Sequence, residues 1–238
     1  MKNLIILIIT ISIYGCSKAQ PPIEPAFDPV LPGDPSLVTD RIAPHKVMYE
    51  KSGGNMTYVM KEVEKNGRAA YQLAIYFNQD ESGTPDLIYI DKSTLGYLGR
   101  RLEMKDYIID VQFADNRFTG KLEPIAGSDY NEVNYEKEYP HNAFEPAVIN
   151  YFIAALPLKE GYKASIPVFD LNKGSQMFWS NIEVLGRETV KVDGKKHETW
   201  KVKSTGIKEK TIWVSTDVPY AIKMKTKGSF GTWEFVEE

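Results

Sequence analysis

From about residue 45 onward, apolar and polar side chains alternate with a period of two, in short runs separated by turn residues. KVMYEKS (46–52), MTYVMKEVEK (56–65) and AAYQLAIYF (69–77) come first, divided by Gly53-Gly54 and Asn66-Gly67. The second pair has the composition of a tight hairpin turn, because both residue types tolerate positive φ. DLIYID (86–91), the stretch from Leu95 to Glu103, YIIDVQF (107–113) and RFTGKLEP (117–124) follow, with Asp115-Asn116 turning between the last two. After residue 160 the pattern resumes in YKASIPVFD (162–170), QMFWSNIEVLG (176–186) and ETVKV (188–192). Asp193-Gly194 turns the chain into HETWKVKS (197–204), and TIWVS (211–215), YAIKMKTK (220–227) and TWEFVEE (232–238) complete it. Such spacing predicts an antiparallel meander and not alternating strands and helices. In HETWKVKS, Trp200 and Val202 share one face and Thr199, Lys201 and Lys203 the other. In YAIKMKTK, Ile222 and Met224 oppose Lys223 and Lys225. One side of the sheet is therefore expected to be packed and the other wet.

One segment departs from this period. PAVINYFIAALP, from Pro146 to Pro157, is apolar on nearly every side. Proline suits a first helical turn and prevents continuation at the far end, so a short buried helix is expected over 146–156. A buried strand is the alternative, since periodicity cannot separate the two in so short a run. The fold expected is mainly β: a large twisted antiparallel sheet, closed or nearly closed into a barrel, with that helix packed on it. A two-sheet β-sandwich is the alternative.

The N-terminus has another texture. Lys2 precedes an apolar run, Leu4 to Ile13, that ends in Ile13-Tyr14-Gly15-Cys16. This reads as an export signal over 1–15, too short for a spanning helix of roughly 20 residues. Seven prolines, Pro21, Pro22, Pro25, Pro29, Pro32, Pro35 and Pro44, crowd residues 17–44. That density favours an extended path, and residues 16–44 are expected to be a tether before a single β-rich domain over 45–238.

Composition narrows the class. With 42% hydrophobic and 12% aromatic residues the chain can fill a sizeable core. A net charge of −3 gives no reason to expect nucleic acid as a partner. The single cysteine, Cys16, leaves no disulfide possible within the chain.

Chemical signatures are few. Gly127-Ser128 and Gly228-Ser229 do not complete a G-x-S-x-G nucleophile motif. His45, His141 and His197 lie far apart, without metal-ligand spacing, so no metal and no cofactor are expected. Asp91, Asp110, Glu123 and Glu138 lie on or near predicted strands and could in principle supply a glycosidase-like carboxylate pair. Two features stand above this background. Trp179, Trp200, Trp213 and Trp233 would fill a core or line a groove for an apolar ligand. Lys191, Lys195, Lys196, Lys201, Lys203, Lys208, Lys210, Lys223, Lys225 and Lys227 would form a wet sheet face able to meet anionic headgroups.

Two resemblances add expectations. The ending IYGC resembles the lipobox of bacterial lipoproteins, which implies cleavage before Cys16 and lipid attachment at its sulfur. Ser17 after the cysteine, by the same resemblance, implies sorting to the outer membrane, on its periplasmic face. ALPLKEGYKASIPVFD (155–170), VLGRETVKVDGKKHETWKVK (184–203) and IWVSTDVPYAIKMK (212–225) resemble the exported family called domain of unknown function 3108, with a fainter echo in DLIYIDKSTLGYLGRR (86–101). This implies a β-rich envelope protein and brings no catalytic residues. The function expected is a non-enzymatic binding module for an apolar, lipid-like ligand or an envelope protein, held to the membrane by its lipid. A carboxylate-dependent hydrolase of envelope polymers and a structural subunit of an envelope complex are the alternatives.

Overall fold

The protein is described by a computed structural model over residues 24–51, 54–77, 83–171, 176–192, 194–206, 208–218, 221–226 and 232–236. The expected signal over 1–15, Cys16 and Lys227 lie outside the described residues.

The chain forms a first meander: β1 (His45–Lys51), β2 (Gly54–Lys65), β3 (Arg68–Tyr76), β4 (Asp86–Asp91), β5 (Tyr97–Glu103), β6 (Tyr107–Ala114), β7 (Arg117–Pro124) and β8 (Val133–Glu138). A short 3-10 turn, Pro146–Val148, leads into α1 (Ile149–Ala155). A second meander follows: β9 (Lys163–Asp170), β10 (Gln176–Val192), β11 (Lys195–Thr205), β12 (Lys210–Ser215), β13 (Ala221–Thr226) and β14 (Thr232–Val236). All pairings between strands are antiparallel, and β1 pairs with β14, so the two meanders join into one 14-stranded ladder running from β8 through β1 and β14 to β9.

The hairpin turns follow the sequence chemistry. Asn66 (φ 54°) and Gly67 (φ 75°) join β2 to β3, and Asp115 (φ 50°) and Asn116 (φ 60°) join β6 to β7. Both have the positive φ pair of a type I′ turn, whose twist matches that of the flanking strands. QMFWSNIEVLG and ETVKV, which read as two runs, are one long strand. Its register against β11 shifts between Val184 and Gly186, as at a β-bulge. Gly120 (φ 138°) lets β7 approach β6 closely: a Cβ there would stand 2.2 Å from the Asp110 carbonyl oxygen.

The expected helix is present over its central part and is completely buried, residue by residue. The Glu145 carboxylate accepts a hydrogen bond from the Ala147 amide at 2.6 Å and so caps the turn that starts it. Leu156 is already extended, and Pro157 follows. The helix packs against β12 and β13. Tyr151 reaches Tyr58 of β2 (ring centroids 6.4 Å apart) and His45 of β1 (5.0 Å).

A closed barrel is not formed. The strands at the two ends of the ladder, β8 and β9, do not pair with each other. The physical reason lies in both edges. The free edge of β9 is already occupied: Ser165 exchanges backbone hydrogen bonds with Asp28 and Val30, and Pro167 and Phe169 do so with Phe144. β8 is exposed at nearly every position and has no apolar face to bring against β9. The ladder instead folds over into two antiparallel layers, which fits the sandwich and not the barrel. An aromatic cluster holds the layers together: Phe169 of β9 meets Phe118 of β7 (4.5 Å), Tyr139 (5.5 Å) and Tyr97 of β5 (5.9 Å). Ring packing at these distances favours association beyond simple area burial.

Part of the segment expected as a tether is docked. From Asp28 to Ile42 the chain is docked on the body. Val30, Leu37 and Ile42 are buried, the Val38 amide bonds the Ala155 carbonyl at 2.7 Å, and the Tyr71 hydroxyl donates to the Ile42 carbonyl at 2.8 Å. Scattered apolar residues between the prolines bind this segment, and fixed φ angles lower the entropy that docking costs.

Candidate functional site

The period of two places a row of charged side chains on the outer face of the second meander. Strand register sets Lys163, Glu183, Lys203, Thr211 and Lys225 side by side across β9 to β13. A second row, one pleat away, runs Lys201, Trp213 and Lys223, with Glu234 opposite Lys223 on β14. Inward neighbours on the same strands, Val202, Ile212 and Val214, are fully buried. Core packing therefore fixes which side chains face out.

Trp213 is the centre of this face. Its ring lies 5.7 Å from the Lys201 ammonium and 5.8 Å from that of Lys223. Both contacts lie within cation–π range. The side chains over it leave Trp213 only 7% exposed. Lys163 pairs with Glu183 at 2.7 Å and Lys201 with Glu188 at 2.8 Å. These partners hold both carboxyls below the usual range: the hydrogen bond from Lys163 dominates for Glu183 and that from Lys201 for Glu188. Lysines still outnumber the glutamates, so the face carries excess positive charge on a chain whose net charge is −3.

The N-terminal segment reaches the body beside this face. The Phe27 amide donates to Ser165 Oγ at 2.9 Å, and Ser165 Oγ donates to Asn181 Oδ1 at 2.7 Å. The Lys163 ammonium stands 5.3 Å from the Phe27 ring.

The four tryptophans do not share one role. Trp179, on the outer side of β10, meets His141 at 5.6 Å. Trp200 packs against the rim of the core under the Arg187 guanidinium, 4.6 Å from its ring. Trp213 lies on the outer face, and the side chain of Trp233 falls outside the description. The space between the layers is occupied by α1 and the aromatic cluster, so the described tryptophans do not line an internal groove.

The carboxylates singled out in the sequence are also dispersed. Asp110 and Glu123 both border a shallow, open depression on β6–β8, each ion-paired, with Arg101 (2.9 Å) and with Lys121. Glu138 is exposed on β8. Asp91 organises a turn: its Oδ1 accepts from the Ser93 amide (2.9 Å), the Ser93 hydroxyl (2.6 Å) and the Thr94 amide (3.0 Å). Burial alone would raise its pKa, but those hydrogen bonds prevail and hold it below the usual value. His45 packs beside Tyr151, and His197 is half-buried on β11. Among the described residues no three metal-ligating side chains come together.

One charged group was not legible in the sequence. Arg100 points inward from β5 and binds Asp86 of β4 with both arms of its fork, Nε to Oδ1 at 2.8 Å and Nη2 to Oδ2 at 2.6 Å. Its Nη1 reaches Glu145 Oε1 at 3.2 Å. Asp86 and Glu145 are nearly inaccessible. Burial works against the guanidinium charge, and Glu145 and Asp86 more than offset it. The same burial, reinforced by the two carboxylates, pushes the Tyr58 hydroxyl far up. From β12 the half-buried Lys210 faces this side, its ammonium pKa lowered by burial against the attraction of Glu145. The arrangement ties α1 to the first meander. Only the fact that Arg100 shares the buried parity of Leu98 and Leu102 could have signalled it.

A family model described as a protein of unknown function, DUF3108, matches residues 86–234. The chain belongs to this family. Its match begins at the first residue of β4, so the weak likeness around DLIYID marks the start of the family's domain. Strands β1 to β3 precede the matched range, yet they fill the ladder between β4 and β14, and the folded unit includes them. Comparison with curated proteins and with solved structures gives no match.

Proposed function

We propose that this DUF3108 protein is an envelope lipoprotein, anchored through Cys16 in the outer membrane on its periplasmic side, that acts as a non-enzymatic binding module. It meets its partner on an outer surface. The observation that carries this reading is the occupied interior: α1, buried along its whole length, fills the space in which an apolar ligand would otherwise lie between the layers. The lipobox-like IYGC supplies the anchor, and several acyl chains on one residue hold firmly because each buried methylene contributes about 0.8 kcal/mol.

Mass spectrometry of the protein extracted from membranes tests both parts. The intact mass is expected to fit a chain beginning at acylated Cys16, and Cys16→Ala is expected to leave the membrane fraction. A mature chain beginning downstream of residue 16 overturns the anchor. Native spectra of the chain from Ser17 onward are expected to show the bare polypeptide. A tightly held lipid at one per chain overturns the surface reading.

A further inference from the structure

We propose that the outer face of β9–β13, centred on Trp213, lies against the anionic phospholipid headgroups of the membrane that holds the anchor. The inference deepens the reading of the chain as a membrane-held module and rests on it. Three observations carry it. First, Lys163, Lys201, Lys203, Lys223 and Lys225 all emerge from one side of the sheet, brought together by register from three strands, β9, β11 and β13. The strands are about 4.8 Å apart, so the basic face is about 20 Å wide, enough to meet several headgroups at once.

Second, the chain as a whole is negative, with net charge −3. An anionic surface would therefore repel it in most orientations and attract it in the one that presents this face. Third, the segment leading back to Cys16 leaves the body beside Lys163. Ala26 bonds Asn181 Oδ1 at 3.3 Å, and Phe27 lies against Lys163. The chain between Cys16 and Ala26 spans at most about 35 Å when extended. The anchor therefore enters the bilayer close to the basic face, and tethering raises the local concentration of headgroups there. Trp213 lies beneath the Lys201 and Lys223 ammonium groups and holds them at the surface of this face.

The test uses the chain from Ser17 onward, which keeps every contact described above, in co-sedimentation with vesicles. Binding is expected to vesicles of phosphatidylglycerol mixed with phosphatidylcholine, weakening with salt, and not to phosphatidylcholine alone. Each lysine near the surface contributes roughly fivefold, so joint replacement of Lys201, Lys203, Lys223 and Lys225 by Gln is expected to weaken binding more than tenfold. Replacement of the same four by Arg is expected to preserve it. Joint replacement of Lys61, Lys65, Lys92 and Lys121 by Gln changes net charge equally on the first meander and is expected to leave binding within about twofold. Equal binding to both vesicle types, or equal loss in the two Gln variants, overturns the proposal. These outcomes are separable from the anchor: if Cys16 is not acylated the vesicle results stand, and if the vesicles are not bound the intact mass of the membrane form still stands.

Discussion

The two meanders follow the same alternating rule and place their charges differently. In the first, cations are matched to anions. On its outer face Lys92 pairs with Glu62 at 2.7 Å, Arg101 with Asp110 at 2.9 Å, and Arg117 with Glu136. On its inner face Arg100 is enclosed by Asp86 and Glu145. In the second, the inner face is apolar along Val202, Ile212 and Val214, and the outer face carries lysines in excess of glutamates. Charge in the first meander holds the body together. In the second, Lys163 and Lys201 also have glutamate partners, but the positive charge in excess of the glutamates stays at the surface, where it contributes little to stability.

Arg100→Ala should break this comparison hardest. It would leave two nearly inaccessible carboxylates without their cation, an effect of about 3–5 kcal/mol. Arg101→Ala, one residue along on the outer face, should cost under about 1 kcal/mol. Urea unfolding of the two variants checks the contrast, and equal losses would show that the inner cluster is solvated.

Asp91→Asn should follow, at about 1 kcal/mol near neutral pH, because hydrogen bonds to a carboxylate are replaced by weaker ones to an amide. The folded-state pKa of Asp91 lies below its unfolded value, so its contribution is complete above the ordinary carboxylate range and disappears as pH falls through the lowered folded value. Stability curves of wild type and variant are therefore expected to converge below about pH 4. A gap that stays constant down to pH 2 would assign the effect to packing.

The smallest effect belongs to the second meander. Lys203→Gln together with Lys225→Gln should move the unfolding free energy by no more than about 0.5 kcal/mol, because these outer-face groups lie in high dielectric. A loss of several kcal/mol would remove the distinction between the meanders.

Much of the local structure can be read from particular residues. Asn66-Gly67 and Asp115-Asn116 dictate their hairpins, since few other residues accept positive φ at both positions. Pro146 and Pro157 bound the helix. Lys201, Lys203, Lys223 and Lys225 face out because Val202 and Ile222 face in. The role of Trp213 was not legible, because an aromatic ring on a strand fits a core, a groove or an outer face equally well until its cross-strand neighbours are known. Arg100 escaped for a related reason: its partners lie 14 and 45 residues away, and nothing in sequence spacing links them.

By itself the sequence determined the β period, the turns and the helix between its prolines. These depend on interactions among residues a few positions apart, where backbone sterics and alternation leave little choice. Tertiary structure decided that β1 joins β14, that the segments around Pro29 and Phe144 occupy the edge of β9 and so keep the sheet from closing, and that lysines from separate strands gather around one tryptophan. Each depends on which distant edges and faces are free to meet, and that is settled only when the whole ladder competes for partners.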